Sequence, residues 1–362
     1  MTSVHTRYDT RVFVKECCSL AENDNYTVNL IVADGKGIET KNDVHFYDVG
    51  KPNGRICRAL LTTRKILHKA IELDSDIYHF HDPELIPTGL RLARSGNKVI
   101  FDVHENIAKQ IQEKNYLPSP VRKLLSRFYQ IYEKRFVKRF SLILAENSYA
   151  EYFRNITNRY IIVLNMPQTR FFEEYIVDER KKCEFFYIGG VSEIRGVYLI
   201  LDALMILHGR GISFNMNFVG PTYGVTIRME KYRDIEDDVV FHGRLELKEG
   251  FEISKKCMIG LSILKPIGNY VTSYSTKIFE YMAVKLPVIT SNFPLYRDVI
   301  EKFNCGLCVD PLDPEAIANA MQYIIDNPEI AQLMGKNGKQ AVERHYNWDI
   351  EQKKLSFAYG NL

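Results

Sequence analysis

Apolar residues in this chain gather into short β-branched and aromatic runs separated by longer stretches in which they recur at helical spacing. The runs Thr27–Ala33, Ile77–His81, Lys98–Val103, Ser141–Ala145 and Tyr160–Leu164 predict strands in the first half. Phe185–Ile188, Asn215–Val219, Val239–Phe241, Ile259–Leu264, Val288–Thr290 and Leu307–Val309 predict them in the second. Between them, Val12, Phe13, Cys17, Leu20 and Ala21 fall on one side of a first helix, and further helices are expected near Arg58–Leu73, Leu85–Arg94, Pro118–Phe140 and Val197–His208. Strands alternating with helices imply an α/β fold with parallel, doubly wound sheets, whose ligands bind at the carboxyl ends of the strands.

Polar clusters stand at those ends. His81-Asp82-Pro83-Glu84 closes one expected strand, and Asp102-Val103-His104-Glu105-Asn106 closes the next. Capping of the following helix accounts for Asp82 as well as a ligand-binding role does. In the second half, Gly189-Gly190-Val191-Ser192-Glu193-Ile194-Arg195-Gly196 links a strand to a helix. Glycines there let a ligand approach the backbone, and Arg195 can pair two phosphate oxygens.

The stretch Tyr270–Ser291, YVTSYSTKIFEYMAVKLPVITS, reads as loop, helix and strand. Tyr274-Ser275-Thr276 supplies capping chemistry, and Pro287 halts the helix before Val288. A helix start presents unpaired N–H groups and a positive dipole end, so it suits an anion. Lys277 adds a cation where the dipole already disfavours one, a conflict that a bound phosphate resolves. Glu280, one turn on, can accept hydrogen bonds from a ribose diol. A surface lysine and a first-turn glutamate that steadies the helix account for the same residues.

A chain of 362 residues suits two domains, and 46% hydrophobic with 26% charged residues is ordinary for a globular protein. Nothing resembles a signal peptide and no apolar run approaches the roughly 20 residues of a spanning helix, so a cytoplasmic protein is expected. Seven scattered cysteines argue against a disulfide framework; Cys305 and Cys308 form a C-x-x-C that fits a buried strand better than a metal or redox site. The net charge of +3 divides unevenly, with residues 1–164 at +6 and residues 165–362 at −3. The first half therefore suits an anionic surface; no basic motif or module marks a nucleic-acid partner. Pro118–Phe140 concentrates Arg122, Lys123, Arg127, Lys134, Arg135, Lys138 and Arg139 against one acid, Glu133, interleaved with Leu124, Leu125, Phe128, Tyr132 and Phe136. It reads either as a helix packed on the sheet with a solvated basic face or as an interfacial helix drawn to anionic lipid.

Tyr270–Ser291 resembles the nucleotide-sugar signature of family 4 retaining glycosyltransferases of GT-B fold, in particular the bacterial O-antigen and capsule branch, whose motif runs roughly E-S-x-P-T-K-x-F-E-Y-M-A. The family's second glutamate is kept as Glu280. Its first falls on Thr272, its helix-end glycine on Lys285, and the Arg of its Gly-Arg loop on Gly190, while Arg195 keeps charge at the position of its Lys. His242-Gly243-Arg244-Leu245 resembles the loop that cradles the base, Asn165-Met166-Pro167 the interdomain hinge, and His104 the histidine near the reacting sugar. In that family a full strand precedes the residues matching Thr2-Ser3-Val4, and the family's Gly-rich first loop is replaced by His5-Thr6-Arg7-Tyr8-Asp9-Thr10-Arg11. Loss of a central strand exposes sheet edges.

The resemblance implies two Rossmann-like domains facing each other across a cleft: residues 1–164 binding acceptor, 165–345 binding donor, and 346–362 forming a helix that crosses back to the first domain. It implies transfer of a hexose from a nucleotide-sugar, without a metal or other cofactor, to a saccharide linked to polyprenyl diphosphate. Catalytic candidates are His104, Arg195 and Lys277. The donor-binding set is Gly189, Gly190, Arg195, Leu245, Ser275, Thr276, Lys277 and Glu280, and His5, His81, Asp82, Glu84 and Glu105 are candidates on the acceptor side. Two alternative readings remain, a sugar-nucleotide epimerase or phosphorylase on a similar scaffold, and a non-catalytic nucleotide-sugar or lipid-binding partner of a polysaccharide assembly complex.

Overall fold

The computed structural model describes residues 1–113, 117–178, 183–224, 227 and 229–362. The chain divides into two compact units, one formed by Met1–Asn165 with Trp348–Leu362 and the other by Met166–Asn347.

In the first unit a helical run Thr10–Cys17, continued by Cys18–Ala21, forms α1. Asp9 caps it by accepting from the N–H groups of Arg11 and Val12. Strand β1 (Val28–Val32) pairs in parallel with β3 (Val44–Asp48), and β2 (Glu39–Lys41) folds back antiparallel on β3. This hairpin is absent from the strands expected above. Its signal was the Asn42-Asp43 pair, which takes positive φ at both residues, the conformation of a tight two-residue turn.

A long helix follows, α2, built from Arg55–Cys57, Arg58–Thr62 and Thr63–Leu73. The second sheet of this unit is all parallel, in the order β4 (Ile77–Phe80), β5 (Lys98–Val103), β6 (Ser141–Leu144), β7 (Tyr160–Ile162). Around it lie α3 (Ile86–Arg94), α4 (Ile107–Glu113), α5 (Ser119–Phe136) and α6 (Asn147–Phe153). One face of this sheet buries Phe80 stacked on Phe101, with Phe140 edge-on. The burial of these rings makes the sheet the centre of the unit's core.

Between β1 and β4 the only described chain is Met1–Ser3. Thr2 donates its N–H to Ile31 O, the Met1 amine donates to His79 O at 2.7 Å, and His81 N–H donates to Met1 O. Behind this bridge lies a cavity of about 710 Å³, lined by Met1, Leu30, Ile31, Ile77, His79 and Tyr359 among others. Burial lowers the basicity of the Met1 amine.

The second unit is a six-stranded parallel sheet in the order β10 (Val239–Gly243), β9 (Asn215–Val219), β8 (Glu184–Ile188), β11 (Ile259–Ser262), β12 (Val288–Ser291), β13 (Gly306–Val309). The order turns at β8, so the loops after β8 and β11 open side by side, the place where such sheets bind ligands. Helices α7 (Val197–Gly209), α8 (Leu247–Ser254), α9 (Thr276–Ala283), α10 (Pro294–Phe303), α11 (Pro314–Asp326) and α12 (Pro328–His345) complete the unit. Cys305 is buried just before β13 and Cys308 lies half-buried within it; both are free thiols.

The last helix, α13 (Trp348–Gly360), packs on the first unit. Trp348 Nε1 donates to Ser19 Oγ at 2.7 Å, and Glu351 accepts from the N–H of Leu164 at 2.8 Å. Tyr346 and Asn347 stay with the second unit, where the Tyr346 ring lies against Phe279 and Phe303.

Candidate functional site

Each unit holds one polar centre at the carboxyl ends of its strands. In the second unit the centre begins with Gly189, whose φ is +120° and whose N–H donates to Val219 O. A Cβ on Gly220 would stand 2.0 Å from Gly189 O, so the loops after β8 and β9 touch through bare backbone. Two cations converge on this spot. A Cβ at Gly189 would meet Lys277 Nζ at 3.3 Å and an Arg195 guanidinium nitrogen at 3.6 Å.

Arg195 sits in the last turn before Gly196, a residue with φ of +77° that starts α7, and its Nε donates to Tyr270 Oη at 3.3 Å. Lys277 comes from the first turn of α9 because Ser275 is the residue at that helix's cap; the Ser275 hydroxyl accepts from Ser262 Oγ at 3.2 Å. Thr276 opens the helix.

The Lys277 ammonium is buried, lies 3.7 Å over the Tyr187 ring, and has no hydrogen-bond partner among the described residues. Burial, and then repulsion from Arg195, push its pKa well below that of an ordinary lysine, against a weaker pull from Glu280. A buried cation beside a second cation is a costly arrangement in the empty protein, and an anion at Gly189 relieves it.

Gly190 leaves room that a neighbour fills: a Cβ there would meet the Tyr223 ring at 2.8 Å. Tyr223, itself exposed, was not singled out by the sequence. Thr272 is exposed, and its hydroxyl donates a long hydrogen bond to Asn269 O. Leu245 lies half-buried in the loop after β10. Lys285 takes the left-handed conformation, φ +58°, at the end of α9, and its ammonium reaches Asp178 at 2.6 Å.

The first unit's centre gathers five of the six candidates assigned to it, counting His104. His81 Nδ1 lies 2.9 Å from His104 Nε2, and His5 stands against both rings. His5 bonds Asp9 at 3.2 Å, which raises its pKa. Asp82 Oδ2 accepts from Thr2 Oγ1, Ser3 N–H and Ser3 Oγ, so this carboxylate is the anchor of the amino-terminal segment. Glu84 is likewise engaged, accepting from Ser3 Oγ at 2.6 Å and from Arg58 at 2.8 and 3.1 Å. Glu105 is exposed at the edge of the group.

Beneath these residues lies a network that the sequence only hinted at. Arg11 donates to both oxygens of Asp102 at 3.0 to 3.3 Å and to Val163 O, and its Nε is 2.9 Å from Glu16. His79 shares a hydrogen bond with Tyr359 Oη at 2.8 Å. Burial drives Glu16 well above the usual carboxyl range, with the charge of Asp102 adding to it. Burial opposes ionisation of Asp102 as well and is the largest single influence, but Arg11, together with His104, Glu16 and His79, outweighs it and holds that carboxyl low. Burial also lowers His79 to about 3 and His104 to about 4. Glu16, His79, His81 and Asp102 place ligand-type atoms within 4.8 Å of one another, a set able to hold a metal ion, yet the guanidinium of Arg11 already supplies their cation. Glu16 gave no sequence signal beyond its place on an amphipathic helix.

The basic helix corrects one expectation. Only its last turns pack on the sheet core, through Tyr132 and Phe136, while its leucines do not. Its inward positions are Ser126, whose hydroxyl donates to Ala108 O, and Glu133, which accepts from Tyr129. Leu124, Leu125, Phe128 and Ile131 point outward with 56%, 44%, 60% and 59% of their surface exposed. No described helix is long and apolar enough to cross a membrane.

Two α/β units with parallel sheets, one offering an anion-receptive loop and helix start, define the GT-B class of architecture. A sucrose-phosphate synthase from Thermosynechococcus elongatus superimposes with a TM-score of 0.73 over 98% of this chain and 93% of its own, at 17% identity. HepE of Anabaena, solved with UDP and glucose, does so with a TM-score of 0.70 over 96% of each chain at 13% identity. Residues 169–341 match the family described as glycosyl transferases group 1, and residues 11–152 match glycosyltransferase family 4. This chain belongs to the family 4 glycosyltransferases. Among its relatives, the capsular polysaccharide biosynthesis glycosyltransferase CapM of Staphylococcus aureus is 21% identical over 181 residues, 49% of this chain and 45% of CapM. The O-antigen chain mannosyltransferase C of Escherichia coli is 21% identical over 313 residues, 81% of this chain and 76% of that protein. For CapM and two further relatives the match spans only about half of the relative's length, 45% to 52%.

Proposed function

We propose that this protein is a retaining glycosyltransferase of surface-polysaccharide synthesis that moves a hexose from a nucleotide-sugar to a saccharide carried on polyprenyl diphosphate at the cytoplasmic face of a membrane. The observation that carries the reading is the buried Lys277 ammonium, without a hydrogen-bond partner among the described residues, facing Arg195 across the Gly189 backbone. A pyrophosphate bound there receives both cations, the N–H of Gly190, and the start of α9 at Ser275 and Thr276. As the glycosidic bond breaks, negative charge grows on that pyrophosphate, and donors already aimed at it stabilise the transition state. The two cations supply the neutralisation, so the transfer proceeds without a metal. Glu280 binds the ribose diol, the loop of Leu245 takes the base, and His104 with His5, His81, Glu84 and Glu105 lines the sugar and acceptor side. Asp82 serves that side indirectly, by holding the amino-terminal segment.

Contact with the membrane belongs to α5, whose outward leucines and Phe128 sit among seven basic residues over Arg122 to Arg139. Release of nucleoside diphosphate from a panel of nucleotide-sugars, followed with and without a polyprenyl-linked acceptor extracted from membranes, tests the reading. Acceptor-dependent release supports it. Release without acceptor, or donor binding with no turnover on any acceptor, refutes it.

A further inference from the structure

The amino-terminal turns of α2 carry a surface that the proposed function does not use. Helix α2 begins after Gly54, which has φ of +89°, and its first residues are anchored only from one side: Thr62, Thr63, Ile66 and Leu67 are buried, and Thr63 Oγ1 donates to Ala59 O. On the opposite side Ile56, Leu60 and Leu61 are 78%, 59% and 52% exposed. Ile56 and Leu60 are one turn apart and form a single ridge. The next turn of the same face carries Arg64 and Lys65. Between Asp48 and Glu72 the chain holds six basic residues, Lys51, Arg55, Arg58, Arg64, Lys65 and Lys69, and no acidic one.

One of these cations points the other way. Arg58 turns inward and holds Glu84, which also accepts from Ser3, so the ridge is tied rigidly to the first unit's polar centre. The result is an aliphatic ridge ringed by cations at the margin of the centre that we assign to the acceptor.

We propose that the turns Arg55–Leu61 insert into an anionic bilayer surface, as a second lipid contact of this unit besides α5. The inference rests on the membrane reading of α5. Burying Ile56, Leu60 and Leu61 among acyl chains removes apolar surface from water, while Lys51, Arg55, Arg64 and Lys65 meet lipid headgroups. Long basic side chains reach back to the headgroup level from such a position. A second copy of the chain is the poorer occupant, because pairing the ridge with itself would bring two acid-free cationic rims together.

The chain's one tryptophan, Trp348, is 1% exposed, so a Leu60→Trp variant places a single new fluorophore on the ridge of an otherwise silent surface. Its emission is read with vesicles of phosphatidylcholine alone, vesicles containing phosphatidylglycerol, and the same vesicles with brominated acyl chains. The expected result is a blue shift and bromine quenching on anionic vesicles only. Adding Arg64→Ser and Lys65→Ser should weaken that binding roughly thirtyfold, since each cation near such a surface is worth about a fivefold change in the association constant. Ile56→Trp repeats the test if Leu60→Trp does not fold. Absence of bromine quenching in the Leu60→Trp variant, on vesicles that sediment the wild-type protein, overturns the second contact and leaves α5 standing. No sedimentation on anionic vesicles overturns both. A blue shift that grows with protein concentration in the absence of vesicles overturns lipid in favour of self-association.

Discussion

Replacing Lys277 by methionine separates the two faces of the proposed anion site. In the free protein the ammonium is buried beside Arg195 with no acceptor among the described residues, and an unpaired buried donor costs about 1–3 kcal/mol. Methionine fills similar space against the Tyr187 ring without that penalty, so Lys277→Met should melt at a higher temperature than the wild type when no ligand is present. The same change should weaken nucleoside diphosphate binding by about 1.5–3 kcal/mol, roughly 10- to 150-fold, the range for a charge-assisted hydrogen bond. Protonation gives a second signature. Because burial and Arg195 hold the Lys277 pKa well below that of an ordinary lysine, and a bound diphosphate favours the charged form, binding should draw a proton onto this amine. Titration calorimetry with UDP over a series of pH values, each in two buffers of different ionisation enthalpy, should show proton uptake on binding, abolished in Lys277→Met. Equal affinity in both proteins with no proton uptake by the wild type would refute the reasoning.

Glu280→Gln should raise the dissociation constant for UDP in the same titration while leaving the melting temperature unchanged, since a neutral amide replaces a charged acceptor toward the ribose. Glu16, whose pKa is raised in the folded protein, favours the fold fully below the ordinary carboxyl value of 4.5, and that contribution is lost as pH rises through the raised value; Glu16→Gln should therefore flatten the fall in melting temperature as pH rises above 4.5. His104 works in the opposite range: lowered from 6.5 to about 4, it binds a proton more readily in the unfolded chain, so stability should fall as pH drops from 6.5 toward 4, and less steeply in His104→Gln. Lys285→Gly removes a side chain from a left-handed position and should stabilise by about 1 kcal/mol in urea denaturation, its exposed partner Asp178 offsetting little. Leu124→Ser with Phe128→Ser should abolish sedimentation with anionic vesicles if α5 seats in the bilayer, whereas loss only on adding salt would mark a purely electrostatic contact.

Apart from β3, the parallel strands were legible in the sequence because both of their faces are covered, which leaves near-continuous apolar runs such as Val288-Ile289-Thr290. The hairpin Glu39–Asp48 escaped because its strands are short and half-exposed, so alternation is weak and only the turn residues speak. Lys277 was legible as a residue at odds with its helix position. What sequence cannot give is the depth of its burial or the convergence of Arg195, which comes from a loop that the sheet order brings alongside. The network of Arg11, Glu16, Asp102 and the histidines needs side chains from α1, β4 and β5 to meet, and no spacing in the chain encodes that meeting. For α5 the composition was plain and the orientation was not. A helix whose leucines and basic residues both face outward looks, residue by residue, like one that buries its leucines.

The first unit closes only with the chain's last turns. Met166–Asn347, the whole of the second unit, is translated between the β7 region and the helix whose Trp348, Glu351 and Tyr359 bind Ser19, Leu164 and His79. At about 5–20 residues per second a ribosome needs roughly 10–40 s to cross that interval. Throughout it the sheet face that α13 will cover, with Ile100, Ile143 and Val163 on it, stands open on a nascent chain. The unit that emerges first is thus the one that finishes last, and the indole of Trp348 reports the moment of closure.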